Sequence, residues 1–314
     1  MMHETAFNRA SAARLDCAGE SLFLLPERAA FWPARSTLFI ADLHLGKAAA
    51  FRAAGIPVPE RVQLRDLERL SAAIAATKAE RLIVLGDLVH ARSGLTAGVD
   101  AAMGGPTGWR RRHKQLDVML VTGNHDRSAG RLPERWRIRA VPPGERLGPF
   151  VLVHDPAEAA SEATVGESEA AGGAGGMGEA GAACPPEVAE VDPGKLRRLG
   201  VSATGGGSAR ADATRIGGST GRRGMSDTAA GGGRAGGGGE PGGYALAGHL
   251  HPAVRLEDAA TRTSLRLPAF VFGERCAVLP AFSTFTGCAR VRPRAGDRVF
   301  VVCEDTVLRV ASRA

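Results

Sequence analysis

Thr37-Leu38-Phe39-Ile40-Ala41-Asp42-Leu43-His44 is the stretch from which the fold can be read. A short, continuous apolar run stops at Asp42, and such a run reads as a strand of a sheet covered on both faces. The pattern then returns four times. Residues 81–85 end at Gly86-Asp87, 117–122 run into Gly123-Asn124-His125-Asp126, 150–153 end at His154, and 244–247 end at Gly248-His249-Leu250-His251. Five apolar strands therefore each deliver Asp, Asn or His at their ends. That places these side chains on one rim of a sheet, where α/β folds bind ligands.

Between these strands Pro59 opens a helical stretch, with Val62, Leu64, Leu67, Leu70 and Ile74 at helical spacing to about residue 76. Residues 94–108 read as a loop and 109–114 as a short basic helix. Further strands are expected at 21–25, 253–256, 263–267, 269–272, 277–279 and 299–302.

Outward from this core, composition divides the chain. Of 42 glycines, 25 fall in the 87 residues 157–243, which hold almost no aromatic or long aliphatic side chains. Such a segment cannot bury enough apolar surface to offset its ordering entropy, so it is expected to be a disordered insert. Residues 1–156 and 244–314 are expected to form the two parts of one α/β domain, α+β by some schemes. The glycines follow no period of three, which excludes a collagen, and no apolar run reaches ~18 residues, which argues against a membrane span. Residues 1–15 do not read as a secretory leader.

The five cysteines, Cys17, Cys184, Cys276, Cys288 and Cys303, form no CxxC pair. They read as reduced thiols of a cytoplasmic protein. The whole chain carries +7, and since residues 157–243 carry −3, the remainder carries +10. A basic globular part suits an anionic partner such as nucleic acid or phosphate.

Taken singly, Asp42-x-His44, Gly86-Asp87 and His154 have ordinary readings as strand-end turns or a hydrogen-bonded histidine. Together the five strand-end groups hold five of the eight histidines in the chain. An Asp/Asn/His set without cysteine favours a hard or borderline divalent ion, Mn²⁺ first, with Mg²⁺, Fe²⁺ or Zn²⁺ as alternatives. The donors suffice for two ions if one carboxylate bridges them, and two ions about 3.5–4 Å apart can clamp both oxygens of a phosphoryl displacement.

In order and spacing the five groups resemble those of the calcineurin-like binuclear metallophosphoesterases. Ala41-Asp42-Leu43-His44-Leu45-Gly46-Lys47, Leu85-Gly86-Asp87-Leu88-Val89-His90 and Leu246-Ala247-Gly248-His249-Leu250-His251-Pro252 resemble the ligase-associated DNA damage response endonucleases within that family. So do Leu265-Arg266-Leu267-Pro268-Ala269-Phe270, Leu279-Pro280-Ala281-Phe282 and Phe285-Thr286-Gly287. The resemblance implies a layered β-sandwich flanked by helices. It assigns Asp42, His44 and His251 to one metal, Asn124, His154 and His249 to the other, and Asp87 to both. It places His125 at the scissile phosphate, as charge stabiliser or acid, with Asp126 orienting its ring. It also implies DNA, single-stranded or structured, as the substrate, a DNA ligase and an Lhr-type helicase as neighbours, and no membrane. Two departures stand out: the long insert, and Asp155 where His-Glu-Pro is expected.

His90, Arg110, Arg111 and Arg127 are candidate substrate contacts, and Trp109 beside its arginines is a candidate base-stacking ring. Lys47 is a weaker candidate for a phosphate. The same metal site would serve a phosphohydrolase of small phosphoesters or nucleotides, since specificity lies in the surrounding loops. A third reading is a repair scaffold without activity.

Overall fold

In the computed structural model the strand that opens the sequence argument is β4 (Thr37–Ile40), with all four residues buried. Successive side chains of a strand point to opposite faces. Leu38 and Ile40 accordingly join one apolar cluster and Phe39 another, so the unbroken apolar sequence reflects two covered faces. The structure describes residues 11–58, 61–161, 201–202, 243–257, 264–291 and 293–310.

On one side of β4 run β1 (Ala13–Cys17), β2 (Glu20–Leu25) and β3 (Ala29–Trp32), paired antiparallel. On the other run β5 (Arg81–Leu85), β6 (Asp117–Val121) and β7 (Arg139–Val141), paired parallel. Parallel neighbours need crossovers. These carry α1 (Lys47–Ala53), α2 (Arg61–Thr77), α3 (Ala97–Gly104), α4 (Trp109–Arg112) and α5 (Asn124–Ala129). Leu67, Leu70, Ala73 and Ile74 of α2, Val99 and Met103 of α3 and Trp109 of α4 cover the outer face of this sheet.

A second sheet is built from β8 (Glu145–Leu147), β9 (Phe150–Leu152), β10 (Val201–Ser202), β11 (Tyr244–Ala247), β13 (Ser264–Phe272), β14 (Cys276–Val278), β16 (Arg298–Cys303) and β17 (Thr306–Val310). β12 (Pro252–Glu257) pairs with β13 and with β15 (Ala289–Arg290). Phe39, Ile83, Leu85 and Met119 of the first sheet pack in one core with Phe150, Leu152, Leu246, Phe270 and Phe272 of the second. The outcome is a mixed α/β sandwich with helices outside, as the sequence resemblance implied.

Four readings are corrected. The polar strand ends come from two sheets, not one: β4, β5 and β6 belong to the first, and β9 and β11 to the second. Strands buried on both faces show no alternation that would have told the sheets apart. Residues 94–108 contain α3, whose start is capped by the Thr96 hydroxyl accepting from the Val99 N–H at 3.3 Å. Residues 263–267 and 269–272, read as two strands, lie from Ser264 onward in the single strand β13. Within 157–243, Glu158–Ser161 forms a short helix, α6, and β10 pairs with β17. The remainder of that segment up to residue 242, including Cys184, lies outside the described residues. Its flanks meet directly, since β9 and β11 are parallel neighbours.

Candidate metal centre

The turns after β4 and β5 are stitched together by backbone. The Asp42 N–H donates to the Gly86 carbonyl at 3.1 Å, and the His44 N–H to the Asp87 carbonyl at 2.9 Å. The loop after β11 is tied to the same place, because the His249 N–H donates to the Asp42 carboxylate at 3.0 Å. Glycine is needed where chains approach this closely: a β-carbon at Gly86 would overlap the His154 ring, and one at Gly123 the Asp87 carboxylate.

Two clusters that combine Asp and His result, beside an all-histidine group of His44, His90 and His125. Asp42, His44 and His251 form one, and Asp87, His154 and His249 the other. The Nε2 atoms of His44 and His251 lie 3.2 Å apart, and His251 Nε2 is 3.4 Å from Asp42 Oδ1. In the second cluster His154 Nε2 stands 3.0 Å from Asn124 Oδ1, 3.1 Å from His249 Nδ1 and 3.4 Å from Asp87 Oδ2. Asp42, Asp87 and His154 are almost completely buried.

The hydrogen bonds on the far side of each ring set its tautomer. His154 Nδ1 donates to the Leu85 carbonyl at 3.0 Å, and His251 Nδ1 to the Gly287 carbonyl at 2.9 Å, with the Thr286 hydroxyl 2.8 Å away. Each Nε2 then presents a lone pair. At His154 that lone pair faces an amide oxygen and a carboxylate oxygen, so three acceptors converge on a point that a cation would satisfy. The donor set therefore fits divalent ions. Burial alone would lower the His154 pKa, but the hydrogen bond and charge of Asp87 outweigh it and carry it to about 9. Burial likewise raises Asp87, yet His154, His44 and His125 together bring it down to about 2.

His125 sits at the edge of this centre. Its backbone N–H donates to Asp87 Oδ1 at 3.0 Å, and its Nε2 is 3.9 Å from Asp87 Oδ2, with 37% of the side chain exposed. Its Nδ1 donates to the His90 carbonyl at 2.6 Å, and the two rings stack at 4.9 Å. The reading of Asp126 as the group that orients the His125 ring is thereby corrected. Asp126 is buried and accepts from the backbone N–H groups of Val89 and Gly123, both at 3.0 Å. It ties two ligand loops together, and burial raises its carboxyl to about 6.

Among the candidate substrate contacts, only His90 reaches the site. Arg111 and Arg127 are exposed, and Arg127 donates to the Thr122 carbonyl at 3.3 Å. Arg110 and Trp109 are corrected: both are buried, and the Arg110 guanidinium is spent on backbone carbonyls. Lys47 is half-buried, and burial lowers its pKa against the pull of Asp42 and Asp87.

Sequence reasoning gave no role to Thr286 and Gly287 as partners of His251. Both residues stand in a recognisable stretch, but their contacts with His251 cross 35 and 36 positions. Nor did it place Asp155, whose Oδ2 lies 3.7 Å from His249 Nε2. Phe51 and Phe285 also escaped it; they pack edge to face at 5.6 Å, and Phe51 lies 6.4 Å from the His90 ring.

Residues 36–159 match the family model of the calcineurin-like phosphoesterases. The match contains Asp42, His44, Asp87, Asn124 and His154 and ends before His249 and His251. A crystal structure of the Pseudomonas putida nuclease MPE is 27% identical to the chain, with a TM-score of 0.58. The alignment covers 95% of this chain and 100% of that one. None of the curated proteins matches the chain.

Proposed function

We propose that this metal-dependent phosphoesterase, calcineurin-like across residues 36–159, is an endonuclease that hydrolyses DNA phosphodiesters in repair, with Mn²⁺ as its preferred ion. The observation that carries the reading is the pair of Asp/His clusters sharing one rim, with the half-exposed His125 imidazole beside them. Similarity to a nuclease over its full length supports nucleic acid over small phosphoesters.

Two bound divalent ions would supply charge neutralisation at the phosphate and an activated water. The chain's part is positioning. Asp42, His44 and His251 would hold one ion and Asn124, His154 and His249 the other, with Asp87 shared by both. His125, with Nδ1 fixed by the His90 carbonyl, presents Nε2 to the cleft, where it can protonate the departing oxygen. Asp126 keeps the loops of Asp87 and His125 in register.

The substrate is proposed to be single-stranded or structured DNA. The lack of disulfides among Cys17, Cys276, Cys288 and Cys303 supports a cytoplasmic setting. No helix among the described residues is long and apolar enough to cross a membrane. The sequence resemblance makes a DNA ligase and an Lhr-type helicase its proposed partners, to be tested by co-purification of the tagged proteins.

The deciding assay incubates the protein with single-stranded and duplex DNA and with bis(4-nitrophenyl) phosphate, adding Mn²⁺, Mg²⁺ or EDTA. Metal-dependent nicking is expected, lost in Asp87→Ala and reduced ~10²–10⁴-fold in His125→Ala. Turnover of the small ester without nicking would overturn the endonuclease reading in favour of small phosphoesters. No turnover of anything would point to a scaffold.

A further inference from the structure

Asp66 is a carboxylate in an apolar place. It lies on α2 beside Leu67, which joins the core, and only 2% of it is exposed. Taking a charge out of water is expensive, and a buried ion pair is a poor source of stability. Where Asp66 spends its oxygens therefore says what the charge is for.

Oδ2 accepts from the Ser283 hydroxyl at 3.0 Å and Oδ1 from the Thr284 hydroxyl at 3.0 Å, with the Thr284 N–H at 3.3 Å from each. Arg69, one turn along α2, faces Oδ1 at 3.1 Å and donates to the Phe282 carbonyl, its guanidinium lying over the Phe282 ring at 4.5 Å. One face of α2 thus grips three consecutive residues that are more than 200 positions away.

Those residues belong to a strap, 281–289, that joins two members of one donor cluster, Asp42 and His251. At its start the Phe282 N–H donates to the Ala41 carbonyl at 2.7 Å and the Ser283 N–H to the Asp42 carbonyl at 3.2 Å. Toward its end Thr286 and Gly287 meet His251 Nδ1, and the Ala289 N–H donates to the His251 carbonyl at 2.9 Å. The Ser283 hydroxyl links the two halves. It gives its proton to Asp66 and accepts from the Phe285 N–H at 3.1 Å, so the atom that Asp66 holds also turns the chain toward Thr286.

We infer that Asp66 is a positioning residue for the ion of Asp42, His44 and His251: through Ser283 and Thr284 it fixes the strap, and the strap fixes the His251 ring and the Asp42 turn. The inference rests on the metal-dependent reading above and adds to it a control of ion affinity from a helix that carries none of the ligands. Groups that orient a ligand from behind change metal affinity ~10–100-fold when altered.

Calorimetric titration of the full chain with Mn²⁺ tests this, with His251→Ala identifying which binding event belongs to the cluster. Asp66→Asn, which keeps the shape but loses the charge and one acceptor, should weaken that event ~10–100-fold and leave the other unchanged. Thr284 is exposed, so Thr284→Val removes a single hydroxyl without disturbing the core. It should weaken the same event ~2–10-fold, as loss of one hydrogen bond does, and Thr284→Ser should restore it. With bis(4-nitrophenyl) phosphate, Asp66→Asn should need more Mn²⁺ for half-maximal turnover while approaching the unaltered kcat at saturating Mn²⁺. A role confined to stability would lower the unfolding temperature and leave the Mn²⁺ affinity of the folded chain intact. That result in Asp66→Asn and Thr284→Val would overturn the inference, as would equal weakening of both events. If Asp66→Asn does not fold, the Thr284 pair decides in the same way. Failure of the metal reading shows separately, as an unaltered chain that takes up no Mn²⁺.

Discussion

Replacing Arg110 by methionine sets the sequence and the structure against each other. In sequence Arg110 sits in Trp109-Arg110-Arg111-Arg112-His113-Lys114, where a run of bases beside an indole reads as a nucleic-acid contact. In the structure only 4% of Arg110 is exposed. Its Nε donates to the Trp136 carbonyl at 2.7 Å and its Nη1 to the His113 carbonyl at 2.9 Å. Weaker bonds from Nη2 reach the carbonyls of Leu116 at 3.3 Å and Arg137 at 3.4 Å. One guanidinium thus closes the end of α4 and fastens it to the segment that leads into β7.

The magnitude follows from the two short bonds. A hydrogen bond from a charged donor contributes about 1.5–3 kcal/mol, so losing two costs about 3–6 kcal/mol. Methionine retains most of the buried volume and removes a desolvated charge, which offsets part of that loss. A net destabilisation of about 3 kcal/mol is expected, or about 6–12 °C in Tm for a domain of this size. Urea unfolding measures it, with Arg111→Met as control, because Arg111 is exposed and should change stability by less than about 0.5 kcal/mol. KM for DNA should not move in Arg110→Met. Stability within about 0.5 kcal/mol of the unaltered chain, combined with a raised KM, would refute the structural role and restore the substrate contact.

Two further outcomes follow from groups around the centre and the core. Thr286→Val removes the hydroxyl 2.8 Å from His251 Nδ1 while leaving the Gly287 carbonyl in place. Calorimetric titration should show Mn²⁺ affinity reduced ~10–100-fold, and an unchanged titration would show that the carbonyl alone orients the ring. His113 has its pKa lowered, chiefly by burial and then by Arg112 and Arg110, and its Nε2 lies 2.8 Å from the Ser71 hydroxyl. The folded state therefore binds this proton less readily than the unfolded chain, so stability falls as pH drops below the ordinary histidine value of 6.5 toward the folded pKa. Unfolding measured at intervals from about pH 7.5 to 5 should show a steeper loss of stability for the unaltered chain than for His113→Gln; parallel curves would exclude the group.

What was legible in the sequence is what local grammar encodes. A strand that ends in Gly-Asp or Gly-His-x-His announces itself, because the glycine, the turn and the ligand occupy adjacent positions. Burial of a basic side chain leaves no such mark. Arg110 and Arg111 are neighbours of identical type with opposite fates, decided by which one meets the carbonyls of Trp136 and His113. The helix at Ala97–Gly104 is hidden by its glycines and alanines. Only Val99 and Met103, four residues apart, carry its buried stripe, and Thr96 supplies the cap. The role of Asp126 is masked because adjacency to His125 suggests a ring contact, whereas helical geometry turns its carboxylate back to the Gly123 N–H.

The ligand loops adopt a conformation that their residue types resist. Asp42, His44, Asp87, His249 and His251 all have positive φ, between 45° and 69°. For residues other than glycine this left-handed region costs about 1–2 kcal/mol each. Such strain persists only where surrounding structure over-determines it. Here the determinants are the backbone bonds between the Asp42 and Gly86 loops and the Asp42 carboxylate on the His249 N–H. Asp126 adds its bonds to Val89 and Gly123. The same logic accounts for the long segment between His154 and His249. Leu152 is registered against Leu246, the Val153 N–H donates to the Leu246 carbonyl at 3.1 Å, and the Gly248 N–H to the His154 carbonyl at 3.0 Å. The ladder between β9 and β11 thus fixes both histidines directly. The length of the chain joining them therefore does not set the geometry of the metal centre.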